Sequence, residues 1–160
     1  MRYDLIKRYA DQLQKELSAF CIPGYCEVAG SIRRKRPEPD DIDIVCIPDL
    51  VSLFDWNNFF SNYEVLSGDP FTGKHIKFIY KANIKCDVFV ATKQNWGYML
   101  ALRTGSARFS HEILAKKWVR YGYHSVEGEI QNSLEILEFP TEESFFKRFD
   151  IPFISPEYRI

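Results

Sequence analysis

Three aspartates in this chain are spaced for joint chemistry: Asp41 and Asp43 in the stretch DIDIV, and Asp87 in IKCDVFVA. The first stretch alternates charged and apolar residues with a period of two. That pattern predicts a strand with Ile42 and Ile44 on one face and both carboxylates on the other. Same-face neighbours on a strand lie about 6.6–6.8 Å apart at the backbone, so the two acidic side chains can converge. Like charges so close need an offset from water, an arginine or a metal ion. If the Asp87 strand lies beside theirs, three carboxylates meet on one polar surface. Two divalent cations about 3.5–4 Å apart, the arrangement that orients an in-line displacement at phosphorus, need such a donor set. Magnesium suits it, because it takes oxygen ligands and completes its shell with water and substrate phosphate.

The residues just upstream fit a phosphate-bearing substrate. Gly30-Ser31 ends a predicted strand and offers close backbone approach, N–H groups and a hydroxyl. Arg33 to Arg36 follow as an unbroken basic run, and Arg33 and Arg34 can make bidentate contacts to phosphate. Each feature alone has a commonplace reading: a turn, a solvated loop, an exposed strand edge. Their order, with a third strand aspartate downstream, is what points to one site.

The elements that must position these residues follow from hydrophobic spacing. Residues 2–20 carry Leu5, Ile6, Tyr9, Leu13, Leu17 and Phe20 at helical intervals, with Pro23-Gly24 as the stop. A short strand over 25–30 and a basic, proline-bearing loop lead to the strand over 41–47, closed by Pro48. A second helix is predicted over 49–60 with Asp49 as N-cap, then a short strand at 63–67. The alternating runs 74–80 and 84–91 read as a hairpin turning at 81–83. Beyond residue 94 the spacing is helical over 95–103, broken at 104–106 and resumed over 107–122. Strand-like runs follow about a Glu127-Gly128 turn, then a short helix capped by Thr141 and a proline-punctuated tail. The expected class is α+β (α/β), with a mixed sheet to residue 93 and a smaller lobe over 94–160.

Composition narrows the field less than position does. The 160 residues are 46% hydrophobic, 16% aromatic and 27% charged, with a formal net charge of −1. Overall charge therefore gives no lean toward nucleic acid, and the basic clusters at 33–36 and 116–120 matter more. No signal peptide or membrane-spanning stretch is recognised, and the four cysteines read as free thiols in a reducing, cytoplasmic compartment. Cys46 and Cys86 alternate with apolar residues as small core side chains.

GSIRR followed by DDIDIV resembles the signature of the polymerase-beta-type nucleotidyltransferase superfamily: Gly-Ser, a short gap, Asp-x-Asp and a distant third strand aspartate. The double arginine, the turn in LRTGSARF and the ending FPTEESFFKRFDIPFISPEYRI narrow the resemblance to family X DNA polymerases. It implies a nucleotidyltransferase palm over 1–93 and a nucleotide-binding, thumb-like lobe over 94–160. The lyase domain and helix-hairpin-helix module of larger members are expected to be absent. It further implies Asp41, Asp43 and Asp87 as catalytic metal ligands for two Mg2+ ions, with Mn2+ able to substitute. Asp87 would lie nearest the primer 3′-hydroxyl. Gly30, Ser31 and Arg34 would meet the phosphates, and Arg103, Gly105 and Ser106 the rest of the nucleotide. Arg33, Lys35, Arg36, Lys116 and Lys117 would contact DNA, with Lys74 and Lys77 adding to the grip.

The implied activity is addition of dNMP from dNTP to a DNA 3′-hydroxyl in small-gap repair, by a monomer, with a recruiting protein as a further partner. The alternatives are a template-independent, RNA- or small-molecule-directed transferase and an inactive nucleotide-binding module. Departures bear on substrate choice. Leu102-Arg103 stands where the family has an aromatic pair or Gly-Trp, and Lys85 stands where an arginine often precedes the third aspartate. Lys85 is either a neighbour that steadies Asp87 or a surface lysine. Only Arg2 is available for the arginine that precedes the first helix.

Overall fold

The computed structural model describes residues 1–160, which divide into two compact units, Met1–Val90 and Ala91–Ile160. In the first unit the opening amphipathic segment forms α1 (Tyr3–Ser18), which buries Ile6, Ala10, Leu13 and Leu17 along one stripe. β1 (Cys21–Val28) follows, then one helical turn, α2 (Gly30–Arg33), and β2 (Asp41–Pro48). A 3-10 turn at Leu50–Ser52, capped by Asp49, leads into α3 (Leu53–Phe60). Three further strands complete the unit: β3 (Glu64–Ser67), β4 (His75–Ile79) and β5 (Lys85–Val90).

The five strands form one sheet in the order β1-β2-β5-β4-β3. β2 and β5 pair in parallel, and every other pairing is antiparallel. Ile42, Ile44 and Cys46 of β2, Ile76 and Phe78 of β4, and Cys86 and Val88 of β5 face a core shared with α1, Trp56 and Phe60. Phe60 packs edge-on against Trp56 and Phe78, with centroids 5.0 and 5.1 Å apart. The opposite face of β2 and β5 carries the aspartates.

Two local expectations change. The first helix ends at Ser18, and Pro23-Gly24 lies inside β1 rather than terminating the helix. β1 is an edge strand whose register shifts between Cys21 and Cys26, and edges and bulges tolerate proline. Gly30 to Arg33, read as the start of a loop, winds into a helical turn: Arg33 N–H donates to Ala29 and Arg34 N–H to Gly30. Buried Ile32 anchors that turn to the core.

The second unit contains α4 (Trp96–Thr104), a π-helical segment (Phe109–Ala115) and α5 (Lys116–Arg120). β6 (His124–Val126), β7 (Glu129–Gln131) and β8 (Ile136–Leu137) make a small antiparallel sheet, and α6 (Glu142–Arg148) closes the unit. The helix expected over 107–122 is present as one helical run over 107–120, but its middle, Phe109–Ala115, is wound as a π-helix. Ser106 Oγ accepts from Phe109 N–H, and Ser110 Oγ donates to the Leu102 carbonyl. These side-chain bonds compete with a regular ladder at its entry. Phe139, Phe145 and Phe149 form an aromatic core with Tyr98 and Trp118. Thr141 caps α6 in a reciprocal box with Ser144.

All four cysteines are buried and unbridged. No helix is long and apolar enough to cross a membrane.

Candidate active site

Parallel pairing sets Asp43 directly opposite Asp87 and Asp41 opposite Lys85. One carboxylate oxygen each from Asp41, Asp43 and Asp87 lies within 4.8 Å of the others. Asp87 is buried, and Asp41 and Asp43 are half-buried. Burial, together with the charge of Asp87, raises the Asp41 carboxyl above its ordinary value; Lys77 pulls the other way. An all-oxygen, anionic set with mutual repulsion is the chemistry that a divalent cation offsets, and the residues fit such an ion.

Gly30 explains how the carboxylates come so near the preceding turn. Its φ is +58°, and a Cβ there would overlap the Asp43 carboxylate and stand 2.7 Å from its Cγ. Ala29 N–H donates to the Asp43 carbonyl at 2.8 Å, tying the turn to β2. Ser31 Oγ is buried without a hydrogen-bond partner, the kind of orphaned donor that a ligand oxygen satisfies. Burial and nearby Arg36 lower the Arg34 guanidinium below its ordinary value, while Asp43 and Asp41 favour its charge. Arg34 therefore lies within the electrostatic reach of the acidic group. Arg33 is half-buried, and Lys35 and Arg36 are exposed.

The immediate partners of Asp87 come from β4. His75 Nε2 donates to Asp87 Oδ1 at 2.5 Å, and Lys77 Nζ lies 3.4 Å from the same oxygen. Sequence reasoning missed His75. The signal was present in the alternation of KHIKFIY, which puts His75 and Lys77 on one face, but their neighbour depends on strand register. Of the two readings of Lys85, the surface lysine is the one seen: it is exposed, and the ion-pair partners of Asp87 are His75 and Lys77. Lys77, expected among the DNA contacts, pairs with Asp87 in this structure and keeps its side chain 41% exposed.

In the second unit Arg103 is exposed, and Gly105 and Ser106 are half-buried in the turn after α4. A Cβ on Gly105 would meet Phe109 at 2.6 Å. Ser106 N–H donates to the Arg159 carbonyl at 2.9 Å, which ties this turn to the C-terminal tail. The Arg159 side chain is buried, ion-paired with Glu142, and bonded through Nε to the Ile154 carbonyl at 2.8 Å. Lys116 pairs with Glu112 one turn earlier, and Lys117 is half-buried.

No protein-family model matches the chain. It is similar to the DNA polymerase/3′-5′ exonuclease PolX of Bacillus subtilis (strain 168), 28% identical over 166 residues that take in 95% of this chain. The chain spans 27% of that relative's length. This distant similarity supports a link to family X polymerases and to nucleotidyltransferase-like enzymes. The five-stranded mixed sheet with its helices is compatible with such a fold, and the acidic triad with use of a divalent metal.

Proposed function

We propose that the chain is a family X-like nucleotidyltransferase that adds dNMP from dNTP to a DNA 3′-hydroxyl, with small-gap filling in repair as its task. The observation that carries this reading is the convergence of Asp41, Asp43 and Asp87 beside the Gly30-Ser31 turn. The likeness to PolX supports the class.

In this reading Asp41, Asp43 and Asp87 hold magnesium, for which manganese can substitute. Bound there, such an ion would supply charge neutralisation on the phosphates and a lowered pKa for the attacking hydroxyl. The chain's own residues do the rest. The Ser31 hydroxyl and the Arg34 guanidinium receive the phosphate oxygens, the latter through its planar fork of donors. Asp87, the most buried of the three carboxylates, stands nearest the 3′-hydroxyl, and its negative charge favours deprotonation of that hydroxyl. Gly105 and Ser106 are assigned to the sugar and base, and Arg103 to a phosphate or the template strand. Arg33, Lys35, Arg36, Lys116 and Lys117 are assigned to the DNA backbone.

A labelled primer, alone and annealed across a one-nucleotide gap, tests this with each dNTP separately and with magnesium or manganese. Selective addition of the complementary nucleotide on the gapped duplex is expected, and its loss in Asp43→Ala with the fold retained. Extension of the bare primer irrespective of template would indicate a terminal transferase. No extension on any primer would redirect the search to RNA or small-molecule acceptors. Metal-dependent nucleotide binding without turnover would indicate an inactive binding module.

A further inference from the structure

We infer that His75, seconded by Lys77, is a positioning residue that fixes the carboxylate plane of Asp87; this rests on the metal-binding reading of the aspartate triad. The terminal torsion of an aspartate is soft and roughly two-fold, so a lone carboxylate does not hold one orientation. Asp87 has two donors, and both act on the same atom. His75 Nε2 reaches Oδ1 at 2.5 Å and Lys77 Nζ reaches it at 3.4 Å. A carboxylate only accepts, so Nε2 carries the proton in this bond. With both donors on Oδ1, Oδ2 is left to a cation shared with Asp41 and Asp43.

The sheet builds this arrangement from register. Lys77 lies directly across from Asp87, whereas His75 lies across from Phe89 and reaches Asp87 along the diagonal. Diagonal neighbours on antiparallel strands are within range of long or aromatic side chains. The imidazole is held in plane by stacking on Phe89, with centroids 4.5 Å apart and planes 13° apart. Its far side stays wet: the His75 side chain is 45% exposed, against 10% for Asp87. A half-exposed ring contributes little to the core, so its fixed aim at a buried carboxylate is the feature that needs explaining. Groups that orient a metal-binding carboxylate from behind typically change metal affinity or activity by about 10–100-fold when removed.

The test measures Mn2+ binding by electron paramagnetic resonance, with primer extension alongside, in the wild type and in His75→Ala, His75→Phe and His75→Gln. His75→Phe keeps a ring for stacking but removes the donor, and His75→Gln restores an N–H donor. About 10-fold weaker Mn2+ binding is expected in both the Ala and Phe variants, with recovery in Gln. In turnover, kcat should fall with little change in the nucleotide KM. The 15N shifts of the His75 ring in the metal-free protein should show Nε2 protonated. Unchanged Mn2+ affinity in His75→Phe, beside a wild type that binds and an Asp43→Asn variant that does not, overturns the role of His75 alone. A wild type that binds no Mn2+ overturns the metal reading of the triad and this inference with it.

Discussion

Gly30 and Asp43 occupy mutually dependent positions: the Asp43 carboxylate fills the space that any side chain at residue 30 would need. The same glycine has φ +58°, which L side chains rarely adopt. Gly30→Ala therefore meets two penalties, one of backbone strain and one of displacement of an acidic side chain. A loss of about 1–3 kcal/mol is expected in guanidinium unfolding. Metal affinity should fall as well, because Asp43 must move. A variant with wild-type midpoint and wild-type Mn2+ binding would refute this account of the turn.

The buried pair Arg159–Glu142 gives a second prediction, independent of function. Arg159 is fully buried, stacks over Phe146 and Phe153, and carries the backbone that receives Ser106 N–H. Removing one partner of such a pair leaves an uncompensated buried charge. Arg159→Met is expected to cost about 3–5 kcal/mol. The double variant with Glu142→Gln should recover part of that loss, and chemical denaturation of the wild type and the two variants measures it.

The thiols give a pH prediction. Burial, and after it the charges of Asp87, Asp41 and Asp43, raise Cys86 above its ordinary value of 9.0. Cys26 is raised by its hydrogen bond with Cys21 and by burial. A group whose folded pKa is raised contributes no pH dependence while it is protonated in both states. Above pH 9 the unfolded chain releases these protons and the folded chain keeps them, so stability falls as pH rises through that value. Denaturant midpoints should decline above pH 9, and less steeply in Cys86→Ala than in the wild type. At pH 8 a thiol reagent should label the native chain slowly and the denatured chain at all four cysteines.

On the proposed function, DNA binding should be salt-sensitive, because the contacts proposed there are phosphate contacts made by lysine and arginine. Each contributes a slope of about 0.9 in log affinity against log salt concentration. Arg36 is exposed, so Arg36→Ala should leave stability unchanged and reduce the slope by about one unit. A slope identical to wild type would remove Arg36 from the interface.

Much of the site's scaffold was legible because period-two alternation survives in DIDIV and KCDVFV, where one strand face is core and the other polar. Thr141 and Asp49 announced their caps by residue type, and both structural caps are present. What escaped was nonlocal. Nothing in KHIKFIY says that its neighbour is the Asp87 strand, nor that His75 falls opposite Phe89, since register is fixed by the whole sheet. The helical turn at Gly30–Arg33 escaped because Ile32, its one buried side chain apart from glycine, is too little pattern for a period to show. The π-helical segment escaped because Ser106 and Ser110 act through backbone partners rather than through apolar spacing.

The single parallel pairing has a consequence for how the first unit comes apart. β1 with β2, and β3 and β4 with β5, are antiparallel ribbons assembled from strands near in sequence; β2 against β5 is the one seam that joins them. Asp41 and Asp43 stand on one bank of that seam and Asp87 on the other, with His75 and Lys77 on the bank of Asp87. Their repulsion therefore pushes on the joint between the two ribbons, and a cation held from both banks, as the proposed function requires, would fasten it. Ligand occupancy and the cohesion of the sheet would then be one equilibrium, with the amides along β2 and β5 as the place to read it.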